Sequence, residues 1–165
     1  KERYLLMMRE NIKGILREFV ENHIENDGLD KKVDYIQKKA VKNSKYPEAT
    51  EKVSFMKDKI ENKVKNAYRD ITGEEPVNDD NIVVTVDDNI KDGKIGAFKH
   101  PENEEDLGVM RIHPKALKDP EYVKDIIKHE LIHAAHGVED TEARNHGGIF
   151  QDLADRVGLP KKYRK

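Results

Sequence analysis

The chain contains no cysteine. That one absence excludes disulfides, cysteine zinc knuckles and a thiol nucleophile together, so any metal must be held by His, Asp or Glu. No run approaches the ~18 consecutive apolar residues of a membrane span. The first apolar cluster, Tyr4 to Met8, lacks the length and the small-residue cleavage site of a signal peptide. A soluble, intracellular and cytoplasmic protein with no membrane partner is expected. Net charge is lacking as well: 31 Lys and Arg stand against 33 Asp and Glu, leaving −2. Such a balance gives no uniform attraction to nucleic acid. Neither an internal repeat nor a low-complexity run interrupts the chain, and it starts at Lys1 rather than Met, as a piece of a longer protein would.

What is present divides into three parts. Residues 1–74 read as an N-terminal helical segment. Ile12, Ile15, Leu16, Phe19, Val20 and Ile24 recur at intervals of three and four, as do Val53, Met56, Ile60, Val64, Ala67 and Ile71, each series laying an apolar stripe on a charged helix. Between them a shorter helix from about Asp30 to Val41 is expected to end before Tyr46-Pro47. Residues 75–160 read as an α+β core. Ile82 to Val86 is β-branched throughout, Lys94 to Phe98 follows the turn signal Asp92-Gly93, and Val109 to His113 makes a third strand, which suggests a small, mainly antiparallel sheet. Two helices follow, from about Pro120 to His136 with Asp119 as N-cap, and from about Gly148 to Val157. Residues 161–165 form a basic tail. The nine acids between Asp79 and Asp106 and the four bases of the tail read as a solvated loop and a frayed end.

The chemistry concentrates in His129-Glu130-Leu131-Ile132-His133. At about 100° per residue, His129 and His133 lie ~40° apart and one turn from each other, so both imidazoles can reach a single ion. Ile127, Leu131 and Ala134 fall on the opposite side, which should bury. Glu130 lies beside the His face, placed to act on a metal-bound water. Catalytic zinc takes three protein ligands and keeps a fourth position open. Candidates for the third are His136, Glu139, Asp140, Glu142, His146, Asp152 and Asp155. His136 lies a further turn along and reads as a neighbour of the ligands or a solvent-facing group. His146 is better, because 13 residues let a loop return and Gly147-Gly148 lets the backbone fold sharply.

His129-Glu130-Leu131-Ile132-His133-Ala134, followed by His146-Gly147-Gly148-Ile149-Phe150, resembles the SprT-like zinc metalloproteases, the group that includes Spartan. Gly108 to Leu117 also resembles the strand and short helix that lead into that family's active-site helix. The likeness spans about residues 77 to 158. It implies a minimal zincin core, one zinc per chain on His129, His133 and His146, and Glu130 as general base. It also implies a protein or peptide substrate and, since members cut proteins crosslinked to DNA, an association with DNA. Two features depart from the pattern: the chain has no cysteine-rich ribbon, and Asn145 stands where the family usually has glycine.

The expected activity is therefore zinc-dependent peptide hydrolysis, with Glu130 taking a proton from the attacking water and passing it to the leaving amine. An extended substrate adding to a sheet edge is expected first at Val109 to His113. Tyr122, Tyr163, Arg111 and His113 are candidate transition-state helpers. A gluzincin-like arrangement would instead use an acid such as Asp152, and a metzincin pattern would want glycine at position 136. Two other readings compete: a repressor-cleaving H-E-x-x-H protease, and a non-catalytic helical scaffold that binds partners or another copy through its apolar stripes. Oligomeric state is not legible.

Overall fold

A computed structural model describes residues 12–15, 29–77, 82–90, 93–100, 107–136 and 146–164. The expected elements falling there are all present. Helix α1 spans Leu29–Asn43 and α2 spans Pro47–Thr72. Proline supplies the first turn of α2, and Gly73 ends it in the left-handed conformation at φ 74°. Strands follow at β1 (Ile82–Val86), β2 (Gly96–Lys99) and β3 (Gly108–Ile112). A 3₁₀ turn at Pro114–Lys118 leads into α3 (Pro120–His136), and α4 (Gly148–Val157) closes the fold before a second 3₁₀ turn at Lys161–Tyr163. Asp119 caps α3 as expected, its carboxylate accepting the Glu121 amide at 3.0 Å.

The sheet order is β1-β3-β2, with β1 parallel and β2 antiparallel to β3. The sheet is thus mixed, not mainly antiparallel, because β3 inserts between the two strands that precede it in sequence. It is covered on both sides. Val84, Met110 and Ile112 pack with residues of α2, α3 and α4, including Val53, Ile127 and Leu153. Val83 and Val109, on the other side, pack with Ile36 and Ala40 of α1 and with Ile12 and Ile15. Burial from both sides explains why β1 is apolar at consecutive positions rather than at alternate ones.

The two edges of the sheet are treated differently. Along β1, the Gln37 side chain donates to the Val84 carbonyl at 2.8 Å and accepts the Val84 amide at 2.7 Å. Thr50 Oγ1 accepts the Val86 amide at 3.1 Å, and Lys57 Nζ lies 3.5 Å from the Ile82 carbonyl. Side chains of α1 and α2 therefore stand where another strand would bind, closing an edge that would otherwise template association. The edge formed by β2 faces a cleft against α3.

Two charged regions are less solvated than expected. Asp87, in the acidic segment, and Arg111 are each 3% exposed and paired, and Arg111 also donates to the Asn89 carbonyl at 2.6 Å. Arg164, in the tail, is 9% exposed and folded against α4. Among the described residues, no helix is long and apolar enough to cross a membrane.

Candidate metal centre

Helix α3 buries Val123, Ile127, Leu131 and Ala134 in the main core, so its anchored side is the one expected. Tyr122, His129, Glu130 and His133 line a cleft of about 660 Å³, whose other walls are β2 with its leading loop and the turn at Lys162-Tyr163. His146 reaches the same cleft from the start of α4. The sharp turn there is made by His146 itself, at φ 58°. Gly147 is extended, with φ −75° and ψ −161°, so the conformational freedom of the adjacent glycines is not what turns the chain.

The three imidazoles converge. His133 Nε2 lies 3.1 Å from His129 Nε2 and 3.1 Å from His146 Nε2, and the three ligand atoms all fall within 4.8 Å of one another. Ring centroids are 4.9 to 5.0 Å apart in each pair. Phe150, fully buried, forms the floor, its ring 4.7 to 5.1 Å from all three. His129 Nδ1 donates to the Tyr163 carbonyl at 2.8 Å. The proton of neutral His129 therefore sits on Nδ1, and its Nε2 turns a lone pair toward the other rings.

Burial dictates the charge of this cluster. His133 is pushed down to about 3, first by burial and then by the neighbouring histidines. Burial likewise lowers His129, with His146 and Lys94 adding to the shift against the Tyr163 hydrogen bond, and lowers His146, with Lys94 adding. All three are neutral at neutral pH, the protonation state in which an imidazole can ligate a cation. Tetrahedral zinc at about 2.0–2.1 Å from each nitrogen sets nitrogens roughly 3.3 Å apart, close to the two 3.1 Å separations that His133 makes. The residues fit a divalent ion bound by three nitrogens with a further position facing the cleft.

Glu130 is 8% exposed, and burial raises its carboxyl to about 7, with Lys94 pulling the other way. Asp125, on the cleft side of α3, is also raised, mainly by burial. Other candidates are placed elsewhere. His136 neither borders the ligands nor faces solvent: it is buried, its ring edge-on to Tyr68 at 5.3 Å. Asp152 is exposed outside the cleft, and Asp155 pairs with Arg164 at 2.8 Å. Glu139, Asp140, Glu142 and Asn145 lie outside the described residues. Tyr122 and Tyr163 stack at the cleft rim with centroids 5.0 Å apart. Arg111 is committed to Asp87, and His113 Nδ1 accepts the Lys115 amide at 3.1 Å, so neither serves the cleft.

Val109 to His113 cannot receive an added strand, because β3 is paired on both sides. The available edge is β2. The His113 amide donates to the Ile95 carbonyl at 2.7 Å, and with the antiparallel register this turns the peptide groups of Ile95 and Ala97 toward β3 and those of Gly96 and Phe98 outward. Sequence reasoning gave no role to Phe150, Gly96 or the Tyr163 carbonyl. Only Phe150 left a signal, as the last residue of the motif that runs from His146 to Phe150. Comparison with protein-family models, curated proteins and solved structures finds no match.

Proposed function

We propose that the chain is a zinc-dependent metalloendopeptidase of the SprT-like zincin type, binding one zinc through His129, His133 and His146. The observation that carries this reading is the convergence of three partly buried, neutral imidazoles beside a buried carboxylate, in a cleft bordered by an open strand edge. When bound, zinc supplies Lewis acidity, polarising a carbonyl and making water nucleophilic near neutral pH.

The chain's own groups do the rest. Glu130 takes a proton from the attacking water on its carboxylate and delivers it to the leaving amine. Burial holds its proton affinity near neutrality, where such a group works in both directions. An extended peptide hydrogen-bonds along Gly96 and Phe98, a backbone recognition that tolerates varied sequence. Protein or peptide is the substrate class, and a net charge of −2 adds no general attraction to DNA.

The test is elemental analysis beside peptide hydrolysis. About one zinc per chain is expected, lost in His129→Ala and His133→Ala and weakened in His146→Ala. Glu130→Gln should keep the zinc and lose roughly 10²–10⁴-fold in turnover. A native protein that takes up no added zinc refutes the metal site, and undiminished turnover in Glu130→Gln refutes the base.

A further inference from the structure

We infer that Arg164 is a positioning residue of the metal centre, tying His129 of α3 to His146, in the turn before α4, through two short links that each contain a hydrogen bond. The inference rests on the three histidines being metal ligands. Arg164 follows the 3₁₀ turn at Lys161–Tyr163 and is 9% exposed. Its Nε and Nη2 both donate to the Leu159 carbonyl, at 2.8 and 2.6 Å, and Nη2 lies 2.8 Å from Asp155 Oδ1. The guanidinium is thereby fixed, and its remaining arm, Nη1, donates to Gln151 Oε1 at 3.2 Å.

From that anchor one link runs to each ligand. Gln151, oriented by Arg164, donates through Nε2 to the His146 carbonyl at 3.0 Å. That bond restrains the one described residue other than glycine with positive φ, a conformation an L-residue adopts only at a cost. The second link is covalent: Tyr163 precedes Arg164, and its carbonyl receives the His129 Nδ1 proton at 2.8 Å. Holding Arg164 therefore holds the acceptor that sets the His129 tautomer, with its lone pair on the ligand nitrogen. The task suits arginine and not lysine, because a planar fork meets the Leu159, Asp155 and Gln151 acceptors at once.

A residue that merely pins the chain's last turn would influence stability but not metal affinity or ring protonation. The experiment measures zinc dissociation constants by chelator competition in the full chain for Arg164→Ala, Arg164→Lys, Gln151→Ala and Arg156→Ala. Long-range imidazole ¹⁵N spectra of the zinc-free proteins report the tautomers. Arg164→Ala should weaken zinc binding on the order of 10–100-fold and reduce the Nδ1–H form of His129, and Arg164→Lys should not restore either. Gln151→Ala should weaken binding by about tenfold and leave the His129 tautomer unchanged, because it severs only the His146 link. Arg156→Ala, at a surface pair with Asp70, should stay within about twofold of the native protein. Native zinc affinity in Gln151→Ala overturns the inference even if Arg164→Ala fails to fold. A native protein that binds no zinc overturns the metal reading and this inference with it; a zinc-binding native protein with unaffected variants overturns this inference alone.

Discussion

At Gly96 the open strand closely approaches the helix that carries His129 and His133, and adding one methyl there tests how the cleft is built. A Cβ at this position would lie 2.4 Å from Ile126 Cγ2 and 3.7 Å from Glu130 Oε1. Carbon atoms rest at about 3.5 Å or more, so Gly96→Ala is short by roughly 1.1 Å. Ile126 cannot yield easily, because a β-branched side chain on a helix has one strongly preferred χ1 and this one is 8% exposed. The strand must move instead. Overpacking of this kind costs about 1–3 kcal/mol, or a fall in Tm of about 2–12 °C for a chain of this size. A shift of about 1 Å in the wall that aligns substrate also costs on the order of 10²-fold in turnover. Ile126→Ala alone should destabilise by about 2–5 kcal/mol through the cavity it leaves, yet it vacates the space that the new methyl needs. The double variant should then be more stable than the sum of the two changes by about 1–3 kcal/mol. Urea unfolding of the four zinc-free proteins measures that coupling, and peptide turnover measures the functional consequence. Additive energies within about 0.5 kcal/mol would refute the close approach of β2 to α3.

The remaining predictions concern the sealed edge and the buried carboxylate. Gln37→Leu strips both partners from the Val84 peptide groups, in a fully buried residue. At about 1–3 kcal/mol for each unsatisfied group, the loss in urea unfolding should be about 2–6 kcal/mol, and concentration-dependent association should appear in ultracentrifugation as the edge opens. A loss below about 0.5 kcal/mol contradicts the sealing. Glu130 has its folded pKa raised to about 7 from 4.5, so its contribution is present below about 4.5 and is lost as pH rises through 7. Glu130→Gln should therefore stabilise the zinc-free protein by roughly 2–4 kcal/mol at pH 8 and change it little at pH 4.5. Equal shifts at the two pH values in calorimetry would mean that the carboxylate is not held in a desolvated site.

Local structure was legible where one residue decides it. Asp119 and Pro120 mark the start of α3, Tyr46-Pro47 separates α1 from α2, and the β-branched run at Ile82–Val86 is β1. The adjacency of the His129 and His133 rings and the burial of Ile127 and Leu131 follow from helical periodicity alone. Strand order did not follow, because a period of two says which residues share a face and not which strand lies beside which. That is why the open edge was expected at β3, whereas β3 is paired on both sides and the open edge is β2. The observed β2 also starts two residues later than Lys94. Charged residues misled for a related reason. Arg164 read as part of a frayed basic tail, but it is buried where the Leu159 carbonyl, Asp155 and Gln151 meet its guanidinium, an arrangement set by the turn after α4 rather than by residue type.

The placement of buried polar groups weighs between a protease and a scaffold. A scaffold that binds through amphipathic helices must keep its apolar stripes available, yet Val53, Val64 and Ala67 of α2 and Ile36 and Ala40 of α1 are already in the two cores. Three polar side chains of those helices, Gln37, Thr50 and Lys57, are turned inward as well, onto the peptide groups of β1. One edge of the sheet is thereby closed by three side chains, and the other is left with outward peptide groups beside three convergent imidazoles and a carboxylate held near neutrality. Burying the Glu130 carboxylate, which raises its pKa to about 7, lowers stability at and above neutral pH, and a fold selected only to display helices gains nothing from it. A fold that must place a proton acceptor next to an extended peptide needs that carboxylate, the open edge, and the close approach at Gly96 that brings them together.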